Sequence, residues 1–455
     1  MAEILCITSG LTGIVNASFE LVARLQAAGH QCTTASPKLI EDKVRAQGFN
    51  YLQLDAVNFD PAPPVPEFQG PLRKVRRWLH KWLQASSRKG LAVKALGMDA
   101  FLQKIQRLKP QLIIIDVELH EHIMALVSSG HKVVLLSQWF SLWNRKGLPP
   151  LSLATIPGVG AEGSEAGMAH SWKIIQAKRK KMFAKKRLLS VGTDRRSILE
   201  RYAQQVGFSM QYIRENYWPG PFTYGELPVI SMTSEFLEFP HDERPNHTYV
   251  GPMVYEQRVD VECPKEISDR LTALIKQKQQ QGKKLIYCSV STFRAGDVDF
   301  IQKTIAAVTG QTDWLMVIGL GGQLKEQLSG TLPENVIAFD FIPQLQVLQA
   351  ADLSINHGGI HTINECMHFE VPMLVYSGKR SDQNGCAARV HYHGVGIMAD
   401  KDVDSSTAIR DKIATTLANG AIREKIGQVR QQNNTYRTDK TVEQVVENYL
   451  VKEQP

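Results

Sequence analysis

Short apolar runs alternate along this chain with longer stretches in which apolar residues recur every three or four positions. Ile4–Ile7 is the first run, and Phe19, Val22 and Leu25 mark a helix face before Gly29. His30–Thr34 begins a second strand, and Asn16 is the expected cap of the helix between them. The same strand-and-helix alternation returns at Gln111–Asp116 and Lys132–Ser137. Four-to-six-residue apolar runs without polar alternation suit strands buried on both faces of a parallel sheet. Pro61–Pro71 and Gly147–Gly167 read as loops. A second series starts at Lys284–Ser289 and runs through a loop at Val290–Asp297, a helix to about Thr309, and strands at Trp314–Ile318, Val336–Phe341, Leu353–Asn356 and Val371–Tyr376. The fold class expected is α/β: two Rossmann-like domains facing a cleft, with a linker near residue 255 and ligands beyond the carboxyl ends of the strands.

Composition bounds the class. The chain has 455 residues, 43% hydrophobic and 22% charged, which are globular proportions. No apolar run approaches the roughly 20 residues that span a bilayer. Met1–Gly10 lacks a basic start and a long apolar stretch, so it reads as a strand and not a secretion signal. Six scattered cysteines with no CxxC pair suggest neither a disulfide framework nor a zinc site. A cytoplasmic protein is expected.

The net charge of +8 is unevenly placed. Glu67 to Asp99 encloses eight basic residues and no acid, and so does Glu165 to Asp194. Without those sixteen, the remainder carries 37 basic against 45 acidic residues. Trp78 and Trp82 lie four apart in the first segment, beside Leu72, Val75 and Leu79; Trp172 and Phe183 accompany the second. A basic, Trp-bearing amphipathic helix suits an anionic membrane surface, so 72–94 and 172–187 are expected peripheral contacts. A solvated basic face packing its tryptophans inward fits the same pattern. No compact nucleic-acid motif occurs, and nucleic acid is not an expected partner.

The chemistry concentrates in Phe341-Ile-Pro-Gln344, His357-Gly-Gly-Ile-His-Thr-Ile-Asn-Glu365, Val371-Pro372 and Ser381-Asp-Gln-Asn384. A buried strand, a two-glycine turn and a helix start make a phosphate site without a P-loop lysine, because free backbone N–H groups favour an anion. His357 and Thr362 add donors there. Glu365, one turn on, suits a ribose diol; Phe341 offers a ring for a base; Asp382 and Gln383 suit sugar hydroxyls.

The stretch from Phe341 to Gly396 resembles the nucleotide-sugar signature of family 1 glycosyltransferases, which have the GT-B fold. The opening loop and helix ending Ala28-Gly29-His30, the Val250-Gly251-Pro252 linker and Tyr287-Cys-Ser-Val-Ser-Thr292 match as well. The resemblance implies an acceptor domain over 1–252, a nucleotide-sugar domain over 253–435, and a terminal helix in 436–455 packing back on the first domain. It implies an inverting, metal-independent transferase moving a hexose, glucose by the presence of Gln383, from a UDP-sugar that serves as co-substrate. Phe341 takes the place of the uracil-stacking aromatic, with Gln344 near the nucleoside. His357, Gly359 and Thr362 meet the diphosphate, and Thr292 approaches it from the opposite loop. Glu365 holds the ribose; Asp382 and Gln383 hold the hexose. Uridine is expected over thymidine because Glu365 grips a full ribose diol.

Three departures stand out. Ser291 replaces a usual glycine, Ile360 and His361 replace a usual Trp or Leu and Asn, and the family's histidine base is missing, since Gly13 is followed by Ile14 and Ala17 replaces the proline. Asp116 matches the aspartate that normally orients that histidine, and Glu118, His120, Glu121 and His122 follow it. Asp116 or His120 is therefore the expected base. Trp78, Trp82, Trp139, Phe140, Trp143 and Trp172 are candidates to line an apolar acceptor pocket, which together with the basic segments suggests a lipophilic or membrane-resident alcohol. A soluble phenol or polyketide is the alternative, and a non-catalytic partner or a nucleotide-sugar epimerase on the same fold are rival classes.

Overall fold

The computed structural model describes residues 1–62, 64–214, 220–242, 244, 246–289, 296–321, 332–379 and 382–451. Its apolar runs are the strands of two parallel sheets. In the first, β1 (Glu3–Ile7), β2 (Gln31–Pro37), β3 (Asn50–Leu54), β4 (Leu112–Asp116) and β5 (Val133–Ser137) lie in the order β3-β2-β1-β4-β5. A small antiparallel pair, β6 (Ile213–Arg214) and β7 (Thr223–Tyr224), stands apart. Beyond β5 the sheet adds β8 (Val229–Ser231) and β9 (His247–Tyr249). All five residues of β4 and all five of β5 are buried, as strands covered by helices on both faces must be.

The second sheet runs in the order β12-β11-β10-β13-β14-β15, with β10 at Lys284–Ser289, β11 at Trp314–Gly319, β12 at Val336–Phe339, β13 at Leu353–Asn356, β14 at Met373–Tyr376 and β15 at Gly396–Ala399. Every pairing in it is parallel. The order reverses beside β10, so the carboxyl ends of β10 and β13 lie side by side at the switch point of the sheet, with Ser289 opposite Asn356.

The first helix, Thr12–Ala27, starts earlier than its sequence suggests. Leu11 takes the cap position without a side-chain hydrogen bond, and Asn16 lies inside the helix. β1 ends at Ile7 and the helix opens at Thr12, so the connection is shorter than an Asn16 cap requires. The expected 147–167 loop ends at Ser164, whose hydroxyl accepts from Gly167 N at 3.0 Å and opens the long helix Glu165–Ser190.

Several contacts join the two halves. The helix Thr441–Val451 buries Val442 and Val446 in the same apolar cluster as Phe19 and Val22, and Glu443 pairs with Arg24 at 2.9 Å. Leu151 O accepts from Gly385 N at 3.0 Å, and Ser152 O from Asn384 Nδ2 at 3.0 Å. Deepest is Arg389 on Glu238, a pair treated below.

Candidate active site

The turn after β13 builds the anion site. Asn356 Oδ1 accepts from Gly358 N at 2.9 Å and closes the turn. Gly358 has φ +83°, and a Cβ there would stand 2.9 Å from Gln383 O, so no other residue fits without displacing backbone. Gly359 then caps the helix Ile360–His368. The helical ladder begins with Ile363 N donating to Gly359 O at 3.0 Å, which leaves the N–H groups of Ile360, His361 and Thr362 outside it. Together with the helix dipole they favour an anion at this end. His357 and Thr362 line the same cavity, a cleft of about 640 Å³ between the halves.

The same cavity is lined by Phe341, Gln344 and Glu365. Phe341, just past β12, is 45% exposed and so keeps a ring face available for stacking. Glu365 is buried, yet its carboxylate is held from two sides. Arg258 Nη1 donates to Oε1 at 3.0 Å, and Gln344 Nε2 donates to Oε2. Arg258 also donates to Asp260 Oδ1 at 2.8 Å through Nε. Gln344 is fixed in turn by Tyr287, whose hydroxyl donates to its Oε1 at 3.2 Å. Arg258 escaped sequence reading. It sits in the connection after β9, far from the signature in sequence, and only the fold brings it to Glu365. Both Glu365 oxygens are thus already engaged, by Arg258 and Gln344.

A second cavity of about 450 Å³ adjoins the first and is lined by Glu118, Gln138, Trp139, His361, Asp382 and Gln383, among others. Asp382 and Gln383 stand where β14 hands over to the helix Gln383–Tyr392. Gln383 Oε1 is buried with no hydrogen-bond partner among the described residues, an acceptor open to a ligand hydroxyl. His361, without a role in the sequence reading, reaches across the cleft. Its ring lies so close to Gly13 that a Cβ there would be 2.5 Å from Cδ2. Its Nε2 is 3.0 Å from Gln138 Oε1, and burial pushes its pKa down to about 4. The ring is thus neutral, donating through Nε2 to an oxygen of the first half.

The two candidate bases are both removed from the cleft. Asp116 is fully buried at the end of β4 and accepts from Ser9 N at 3.2 Å and Glu118 N at 3.1 Å; burial raises its pKa. It braces two loops of the first domain. His120 is likewise fully buried, and neither cleft cavity is lined by it. Its Nε2 donates to Gly220 O at 3.1 Å, and its Nδ1 accepts from the Tyr224 hydroxyl at 3.0 Å. Burial, with Arg195 nearby, pushes its pKa down to about 4. Both ring nitrogens are engaged, so His120 has no free site for a substrate proton, which corrects the expectation. Of that acidic loop, Glu118 is the residue that lines the cleft. Thr292 and Ser291 lie outside the described residues.

The aromatic candidates divide. Trp139 lines the smaller cavity. Phe140, Trp143 and Trp172 are core, with Trp143 Nε1 donating to Tyr224 O at 2.9 Å and Trp172 Nε1 to Leu148 O at 2.8 Å. Trp78 and Trp82 are on the surface, treated below.

Residues 303–448 match the family described as erythromycin biosynthesis protein CIII-like, C-terminal domain. An uncharacterized UDP-glucosyltransferase, YojK of Bacillus subtilis, is 23% identical over 46% of this chain and 48% of its own length. Zeaxanthin glucosyltransferase of Pantoea ananas is 26% identical over 45% of each. The matched stretch thus spans about half the length of these relatives. Oleandomycin glycosyltransferase of Streptomyces antibioticus is 25% identical over 87% of this chain and 78% of its own. Among solved structures, the glycotransferase of kitacinnamycin superposes with a TM-score of 0.68 at 17% identity, covering 99% of both chains. The matched C-terminal domain, these relatives and this two-sheet architecture together support a family 1 glycosyltransferase, and the architecture is that of the GT-B fold.

Proposed function

We propose that the chain transfers a hexose, glucose in the first instance, from a UDP-sugar to a hydroxyl of a lipophilic acceptor, with inversion and with no metal or other cofactor. The observation that carries this reading is a single cleft that holds the helix start at Gly359, Glu365 and an exposed Phe341 at one end and Asp382 and Gln383 beside it. The acceptor oxygen attacks the anomeric carbon from the side opposite the leaving diphosphate. Charge growing on the diphosphate meets His357, Thr362 and the free N–H groups of the helix start. Names of relatives that mention UDP-glucose or a carotenoid alcohol support both choices.

The donor half is tested by titration calorimetry of the purified protein with UDP, UDP-glucose and dTDP-glucose. Glu365→Ala is expected to weaken UDP binding at least tenfold, since a charged hydrogen bond contributes about 1.5–3 kcal/mol. Absence of binding to all three ligands would reject the transferase reading in favour of a non-catalytic partner.

We also propose that the acceptor is reached at an anionic membrane. The helix Arg73–Leu83 buries no residue; Val75, Leu79 and Trp82 are exposed along one side, with Leu72 and Leu83 at its ends. Trp78 Nε1 donates to Leu188 O at 2.9 Å, tying this helix to the end of Glu165–Ser190, where Met182, Leu188 and Leu189 are exposed too. Two basic segments far apart in sequence thus present one surface of apolar and cationic side chains, the combination that enters a headgroup layer. Among the described residues no helix is long and apolar enough to cross a membrane. In flotation with phosphatidylcholine vesicles, adding phosphatidylglycerol is expected to recruit the protein. The double change Lys74→Ala and Lys81→Ala should lower partitioning roughly thirtyfold, at about 1 kcal/mol per charge. Equal recovery with neutral and anionic vesicles would reject the contact.

A further inference from the structure

We propose that Glu118 is the general base of this enzyme, its carboxylate taking the proton of the acceptor hydroxyl in place of the histidine absent at Ile14. The inference rests on the transferase reading above and adds to it the residue that reading lacks.

Placement comes first. Glu118 sits in the turn between β4 and the helix His120–Ser128, and its side chain lines the cavity that also holds Asp382 and Gln383. The turn is fixed from behind by Glu118 N donating to Asp116 Oδ1 at 3.1 Å, and from the side by Arg195 Nη2 donating to Glu118 O at 3.3 Å. The main chain is therefore held, and among the described residues the carboxylate itself has no hydrogen-bond partner. Asp116, buried and accepting from Ser9 N and Glu118 N, holds the turn that carries Glu118 in position.

The charges around it decide its strength. Burial, then Asp116 behind and Asp382 across the cavity, raise the Glu118 pKa to about 7, with Arg195 acting in the opposite direction. His357 and His361 line the same cavity. A base is most effective when its pKa lies near the working pH. His361, which reaches Gln138 of the first half from the same cavity, is held neutral as a donor and titrates near 4, which makes it the weaker base.

The step balances without further reactants. The acceptor oxygen bonds to the anomeric carbon, the proton passes to a Glu118 oxygen, and the bond from the anomeric carbon to the diphosphate breaks with its electron pair on the diphosphate. Release of the proton to water restores the carboxylate.

The test uses UDP-glucose with two acceptors, n-dodecanol, which needs a base, and 4-nitrophenol, a far stronger acid that is already substantially ionised near pH 7. Glu118→Gln keeps the size of the side chain and removes its basicity. With dodecanol, kcat is expected to fall by about 10²–10⁴-fold; with 4-nitrophenol it should fall less than tenfold, with UDP affinity unchanged. In the wild type, kcat/KM for dodecanol should rise with pH through an apparent pKa near 7, because the active form is the ionised carboxylate, and Glu118→Gln should lose that rise. Two results would overturn the assignment: a Glu118→Gln enzyme with full dodecanol turnover, or loss of the same acid limb in His361→Gln instead. UDP binding with no transfer by the wild type to either acceptor would reject the transferase reading, and this role with it.

Discussion

Replacing Arg389 with alanine is expected to lower the unfolding free energy by about 3–5 kcal/mol, the cost of leaving a buried charge uncompensated. Arg389 stands on the helix Gln383–Tyr392 of the second half and Glu238 on the chain between β8 and β9 of the first. Their side chains are 1% and 0% exposed. Arg389 Nε donates to Glu238 Oε1 at 2.6 Å, and Nη1 donates to Gly385 O at 3.0 Å. The guanidinium also lies 4.8 Å from the Phe140 ring and 4.4 Å from that of Phe239. On the other side, Glu238 accepts from Ser141 N at 2.8 Å and Phe239 N at 2.9 Å. Truncating the arginine leaves that carboxylate in a dry interface with neutral donors only. Chemical denaturation of the single variant and of Arg389→Met combined with Glu238→Gln measures the effect. The double variant should recover most of the loss, since exchanging a buried pair for neutral groups of similar volume is often tolerated. A single variant as stable as the wild type would mean that the two halves dock without this pair.

His357→Ala should lower kcat by about 10²–10³-fold while changing UDP affinity far less, because removal of one donor aimed at developing charge costs that much in comparable sites. On the proposed reading, the helix N–H groups remain in the variant to hold the ground-state diphosphate, and the histidine matters most as the leaving oxygen gains charge. Steady-state kinetics with UDP-glucose, beside calorimetry of UDP, separate the two. A fall in affinity matching the fall in kcat/KM would assign His357 to uniform binding instead. The contrast with Glu118→Gln is diagnostic: loss at the leaving group is felt by dodecanol and 4-nitrophenol alike, whereas loss of the base is felt by the weaker acid.

By itself the sequence determined the parts whose physics is local. Strands such as Leu353–Asn356 and Lys284–Ser289 are continuous apolar runs, and the two glycines after His357 stand where the backbone must take a positive φ and a helix must begin. Glu365 stands on the helix that begins at that turn, a spacing fixed locally, whereas Phe341, Asp382 and Gln383 lie at least one further element away and were singled out by the resemblance to a known signature. The short strands β8, β9 and β15 were not legible, since three or four residues carry too little periodicity to distinguish a strand from a loop. Only the tertiary structure decided what depends on burial or on distant partners. His120 and Glu118 are two residues apart on one loop, yet the first is turned into Tyr224 and Gly220 while the second lines the cleft, and a pattern of titratable residues cannot reveal which way each side chain turns. Arg258 reaches Glu365, His361 rests on Gly13, and Trp78 joins Leu188 across separations of about a hundred residues or more. Such contacts are selected by how two sheets dock and what they bury together, and no local pattern in the chain encodes that.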